Sequence, residues 1–187
     1  MKKTILILDL DGVITDLDVD WKLVYKRTSE IAGHDIEDVI TFLEDCYGTE
    51  MFDLSSKILE EQELKVIHKA QLFDDIKPAI KSFKGPVYIA SMQSKKALNI
   101  FIDKYNLRPY LREALSRDNF GAKRRQLKYI IDKESDKNNF VLVDDRQEYS
   151  DDCNYLNILF ILFDRKRGDN LIKTGERIHD IFQEAMK

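Results

Sequence analysis

Residues 4–16 read TILILDLDGVITD. The apolar residues Ile5–Leu8 are followed at once by Asp9 and Asp11 and, beyond Gly12, by Asp16. Thr4–Leu8 is short, apolar and β-branched at its start, which predicts a buried strand. Carboxylates set directly after such a strand repel one another, and each raises the others' pKa unless a cation offsets the repulsion. The fold and the chemistry both turn on why the chain tolerates them there.

Away from this stretch the pattern changes twice. From about Leu17 to Gln71 it is helical. Trp21, Val24, Tyr25, Thr28 and Ile31 recur at helical spacing before Gly33; Ile36, Val39, Ile40, Leu43 and Tyr47 do so before Gly48. A third helical stretch covers SSKILEEQELKVIHKAQ, from Ser55 to Gln71, and nothing in the block reads as a strand. After Phe73 strands and helices alternate. Pro86–Ala90 (PVYIA), Phe140–Val143 (FVLV) and Asn157–Phe163 (NILFILF) read as strands, and REALS as a short one. SKKALNIFIDKYNL, AKRRQLKYIIDK and GERIHDIFQEAM read as the helices between and after them. Such alternation implies an α/β fold with a doubly wound parallel sheet covered on both faces. The expected division is a Rossmann-like core from residues 1–16 and 73–187, with residues 17–72 inserted as a small all-helical cap.

In a sheet of this kind ligands bind beyond the carboxyl ends of the strands. Asp9 and Asp11 follow the first strand, Ser91 follows PVYIA, and Asp144 and Asp145 follow FVLV. Asp9 and Asp11 project in the same direction while the chain stays extended. Taken alone, DLDG is most simply turn chemistry, and DD after a strand means less still; Ser91 could merely cap the next helix. Their coincidence at the ends of separate strands outweighs those readings. An all-oxygen acidic site without His or Cys suits a hard cation, Mg²⁺ first.

ILILDLDGVITD, VYIASMQ and FVLVDDRQEYSDD resemble the first, second and fourth motifs of the haloacid dehalogenase-like superfamily, across essentially the whole chain. The resemblance implies a nucleophile at Asp9, an acid/base at Asp11 whose carbonyl also faces the metal, and a phosphate donor at Ser91. It implies metal carboxylates at Asp145 and Asp144. It also asks for a lysine near FGAKRRQLKYI, where relatives often carry a proline after the lysine and this chain has Arg124. Lys123, at the start of that helix, is preferred over Arg124, Arg125 and Lys128. Glu148 and Asp151 are further candidates to hold the lysine or a metal-bound water, or else acids at a helix start.

The activity so implied is a Mg²⁺-dependent phosphatase for a small phosphorylated metabolite, by way of an aspartyl-phosphate. A sugar phosphomutase could share these residues, and a non-enzymatic phosphoacceptor module also gathers acids at strand ends. Asp11 argues against a dehalogenase, which needs no acid there. The net charge of −4 weighs against a nucleic-acid partner. The apolar run before Asp9 is too short for a signal core or a membrane span. Cys46 and Cys153 stand far apart in no metal-like spacing, as free thiols of a cytoplasmic protein do. Oligomeric state leaves no mark in the sequence.

Overall fold

A computed structural model describes residues 2–135 and 137–184. In chain order the elements are β1 (Thr4–Leu8), α1 (Trp21–Ala32), α2 (Val39–Asp45), α3 (Glu50–Val66), α4 (Ile76–Ser82), β2 (Val87–Ala90) and α5 (Lys95–Lys104). There follow β3 (Glu113–Leu115), α6 (Arg117–Phe120), α7 (Lys123–Glu134), β4 (Asn139–Asp144), α8 (Ser150–Tyr155), β5 (Leu159–Leu162) and α9 (Leu171–Glu184). The five strands form one parallel sheet in the order β3-β2-β1-β4-β5, with β1 at its centre.

The central strand is buried on both faces, as its unbroken apolar run requires. Side chains alternate across it. Leu6 and Leu8 join the cluster that includes Ile80 of α4, Phe101 of α5 and Ile178 of α9. Ile5 and Ile7 join the opposite cluster, with Leu127 and Ile130 of α7 and Cys153 of α8. Two helical layers thus enclose the sheet, and the doubly wound expectation holds.

Helices α1, α2 and α3 all fall between β1 and β2, and α1 packs on α3. The chain segments entering and leaving this block run side by side. Thr15 Oγ1 donates to the Gln71 carbonyl at 2.7 Å, and Phe73 N donates to the Ile14 carbonyl at 3.2 Å. Each helix has a side-chain cap at its start, from Asp20, Asp38 and Thr49.

The differences from sequence expectation have local causes. The third helix begins at Glu50 rather than Ser55, because Thr49 Oγ1 accepts from Phe52 N and Glu50 and Asp53 favour the helix start. Ile36 lies outside α2, whose start is set by Asp38. Helices α6 and α8, of 4 and 6 residues, are too short for a 3.6-residue period to emerge. Among the described residues no helix is long and apolar enough to cross a membrane.

Candidate active site

Strand alternation decides what meets at the carboxyl rim. Asp9 N donates to the Val143 carbonyl at 3.0 Å, so β1 stays in register with β4 one residue past its end. Asp9 therefore shares the face of Ile5 and Ile7, and Asp144 the face of Phe140 and Leu142. This is the face covered by α7, and Lys123 is the first residue of α7. Its Nζ donates to Asp9 Oδ1 at 2.6 Å, Asp144 Oδ2 at 2.8 Å and the Ala90 carbonyl at 2.6 Å. Lys123 is 1% exposed and Asp144 is fully buried. The other Asp144 oxygen accepts from Arg146 N at 3.0 Å.

Asp145, one residue on, has the opposite parity and is exposed. Its carboxylate lies over Gly12, where a Cβ would collide with it; Gly12 also has φ +78°, a region L side chains rarely adopt. One ligand oxygen each from Asp9, Asp144 and Asp145 lie within 4.8 Å of one another. Three carboxylates so close, with one ammonium among them, suit a hard divalent cation.

The electrostatics agree. Burial holds the Asp9 carboxyl above the ordinary carboxylate range against the pull of Lys123, and Asp144 and Asp145 add to the rise. Burial alone would lower Lys123, but Asp144 and Asp9 outweigh it and fix the ammonium in its charged form. Burial, then Asp144, pushes Asp145 up to about 6.

Asp11 lies apart from this trio. Its Oδ1 accepts from Leu17 N at 2.7 Å, closing the turn that follows β1. Burial pushes its carboxyl up to about 7 despite that bond. A carboxyl titrating there can both give and take a proton at neutral pH.

Ser91 is fully buried behind the rim, with its Oγ donating to Gln93 Oε1 and its carbonyl accepting from Gln126 Nε2 at 2.9 Å. Helix α5 is capped by Ser94, whose Oγ accepts from Ala97 N, so Ser91 is not its cap. A cleft of about 250 Å³ is lined by Asp9, Asp11, Lys123 and Asp145 and by Met92, Gln93, Arg146 and Tyr149. Trp21 of α1 and Ile40 of α2 complete its wall.

The other basic candidates point elsewhere. Arg124 pairs with Asp152 and lies over the Tyr155 ring, Arg125 lies over Tyr47, and Lys128 pairs with Asp132. Glu148 and Asp151 are exposed, and neither bonds to Lys123. Sequence reasoning missed Gln93, Gln126, Arg146 and Tyr149. Gln126 had a usable signal, since it stands three residues after Lys123 on one helical face. Arg146 had none, because its partner Asp38 is 108 residues away.

No family model matches the chain, and no curated protein matches it in sequence. Solved structures do. A predicted phosphatase from Clostridium acetobutylicum is 13% identical with a TM-score of 0.69, over 96% of this chain and 100% of that one. A haloacid dehalogenase-like hydrolase from Streptococcus pneumoniae is 14% identical with a TM-score of 0.61, over 92% and 90%. A protein from Bacillus subtilis described as a HAD hydrolase and seen bound to magnesium is 12% identical with a TM-score of 0.51, over 86% of each chain. The chain has the haloacid dehalogenase-like fold.

Proposed function

We propose that the protein is a Mg²⁺-dependent phosphatase that hydrolyses a small phosphomonoester through an aspartyl-phosphate on Asp9. The observation that carries this reading is the Lys123 ammonium held between Asp9 and Asp144, with Asp145 and Asp11 on the same cleft. A buried carboxylate beside a fixed cation is the arrangement a nucleophile for phosphorus needs, since phosphoryl transfer depends on alignment and charge cancellation.

Lys123 engages Oδ1 of Asp9, and Oδ2 accepts no hydrogen bond from any described residue. In the first step an Asp9 oxygen bonds to phosphorus as the bond to the leaving oxygen breaks, and Asp11 gives that oxygen its proton. In the second, Asp11 takes a proton from water, the water oxygen bonds to phosphorus, and the Asp9–phosphorus bond breaks. Lys123 offsets charge on Asp9 throughout. Asp9, Asp144, Asp145 and the Asp11 carbonyl would hold Mg²⁺, which when bound supplies charge cancellation on the phosphoryl oxygens. Ser91 would donate to the phosphoryl group only once its hydroxyl turns from Gln93 Oε1, which takes its single proton here; Gln93, which lines the cleft, stands between them.

Residues 17–72 are read as a cap over the site, because Trp21 and Ile40 line the cleft and both connections run together. The small cleft favours a small leaving group. Free, buried Cys46 and Cys153 favour a cytoplasmic setting.

The test is phosphate release from a panel of phosphorylated metabolites with Mg²⁺, run beside Asp9→Asn. Turnover should fall at least about a thousandfold in the variant with the fold kept. Wild-type turnover in Asp9→Asn removes the nucleophile. Interconversion of hexose phosphates without release would point to the mutase, and uptake of a single equivalent to a phosphoacceptor.

A further inference from the structure

The largest fully buried side chain outside the proposed catalytic set is Arg117, the first residue of α6. Its partner Glu63, on α3, is 1% exposed. Arg117 Nη1 donates to Glu63 Oε1 at 2.5 Å and to the Met92 carbonyl at 2.8 Å. Nε and Nη2 donate to Ser56 Oγ at 2.8 Å and to the Ser56 carbonyl at 2.9 Å. The backbone N of Arg117 donates to the Gln93 carbonyl at 3.3 Å, and Glu63 Oε2 accepts from Ser94 N at 3.0 Å. The two charges hold Met92 and Ser94, and the Arg117 backbone holds Gln93 between them.

A buried ion pair is seldom kept for stability, because desolvation offsets most of the attraction and a well-packed apolar pair often serves as well. This pair spends two hydrogen bonds, to the Met92 carbonyl and from Ser94 N, on a loop beside the nucleophile, and two more on Ser56 of α3. Met92 and Gln93 line the cleft, and their carbonyls are turned away to Arg117. In a trans peptide the N–H points opposite to the C=O. The two N–H groups set in this way are spent inside the protein, Gln93 N on Ser91 Oγ at 3.3 Å and Ser94 N on Glu63 Oε2 at 3.0 Å, so the pair fixes the course of the loop and, with it, where Met92 and Gln93 stand on the cleft.

We infer that Arg117 and Glu63 are positioning residues that set the Met92–Ser94 loop to receive a phosphoryl group and, because Glu63 belongs to α3, tie that setting to the seat of the α1–α3 block. The inference rests on reading this cleft as a phosphomonoester site. Glu44 of α2 makes a parallel contact, accepting from Lys123 N at 3.0 Å.

Three variants test it: Arg117→Lys, Glu63→Gln, and the apolar pair Glu63→Leu with Arg117→Met. In folded Arg117→Lys, KM and the inhibition constant for inorganic phosphate should rise between about ten- and a hundredfold. Half-saturation by Mg²⁺ should stay within about twofold, since its carboxylates sit on β1 and β4. The apolar pair should recover thermal stability without recovering phosphate affinity. Wild-type KM and phosphate affinity in folded Arg117→Lys, or in the folded apolar pair, overturns the inference. Amide exchange of Ser94 in the wild-type protein is a check that needs no variant: core-like protection is expected, and loop-like exchange sinks the pin. A wild-type protein that neither binds phosphate nor turns over esters fails the phosphatase reading instead, and leaves the exchange result to judge the pin.

Discussion

At the rim of β1 and β4, Asp9, Asp144 and Asp145 crowd their oxygens within 4.8 Å with a single ammonium to share. In the α1–α3 block, Asp38, Glu44 and Glu63 stand apart, and each reaches across to a different donor on the sheet side: Arg146, Lys123 N, and Arg117 with Ser94 N. The first group keeps an excess of negative charge, which suits a divalent cation. In the second each carboxylate has donors of its own, a guanidinium for Asp38 and Glu63 and a backbone N–H for Glu44, so it holds parts in place. Burial alone does not separate the two, since Asp144 and Glu63 are equally enclosed. What separates them is the ratio of carboxylates to donors.

The sharpest break in that comparison is Lys123→Met. It strips the crowded group of the ammonium bonded to it and leaves Asp9 and Asp144 buried without that partner, at a cost of about 3–5 kcal/mol. Chemical denaturation should show the loss, and Mg²⁺ should restore part of it. Next, Mg²⁺ added to the wild-type protein should stabilise it by about 2–3 kcal/mol at a hundredfold excess over its dissociation constant. Asp145→Asn should erase most of that gain, whereas Asp38→Asn should leave it intact. A melting temperature indifferent to Mg²⁺ would contradict the cation site.

A finer probe is pH. The Asp11 carboxyl lies at about 7 against an ordinary 3.8, and Asp145 at about 6. A raised native pKa means that the folded state holds these protons more tightly. Their contribution is full below pH 3.8 and is lost as pH rises through 6 to 7. Metal-free protein should therefore lose stability over that window, and Asp11→Asn should flatten the loss by about 1–2 kcal/mol after allowance for partial exposure. A slope unchanged in Asp11→Asn would remove Asp11 as its source. The smallest effect belongs to the Asp38–Arg146 pair, half-open to solvent at 3.1 Å. Asp38→Asn should cost no more than about 1 kcal/mol, most visibly at low salt.

Much of the sheet was legible because its cues are local. Thr4–Leu8 was read to its exact ends, and the strands beginning near Val87, Phe140 and Leu159 fell within two residues of their observed bounds. Its place in the first turn of α7 sets Lys123 apart from Lys128, but Arg124 and Arg125 share that turn, and only the contacts of Lys123 with Asp9 and Asp144 distinguish it from them. Asp144 and Asp145 could also have been told apart. Counting alternate residues from Phe140 puts Asp144 on the face of α7, and hence of Lys123, and Asp145 on the other. The parity was in the sequence but meant something only once α7 was known to cover that face.

By itself, then, the order of residues determined a parallel α/β sheet, the acidic groups at its rim and the helical character of residues 17–71, because all three follow from periodicity over a few neighbouring residues. Tertiary structure alone decided that Ser91 sits behind Gln93, that Arg146 meets Asp38, and that Glu63 and Arg117 hold the Met92–Ser94 loop. Those contacts join residues far apart in the chain, or depend on which way a loop turns. No local spacing encodes them; they exist only where packing of the helices against the sheet brings charge to charge.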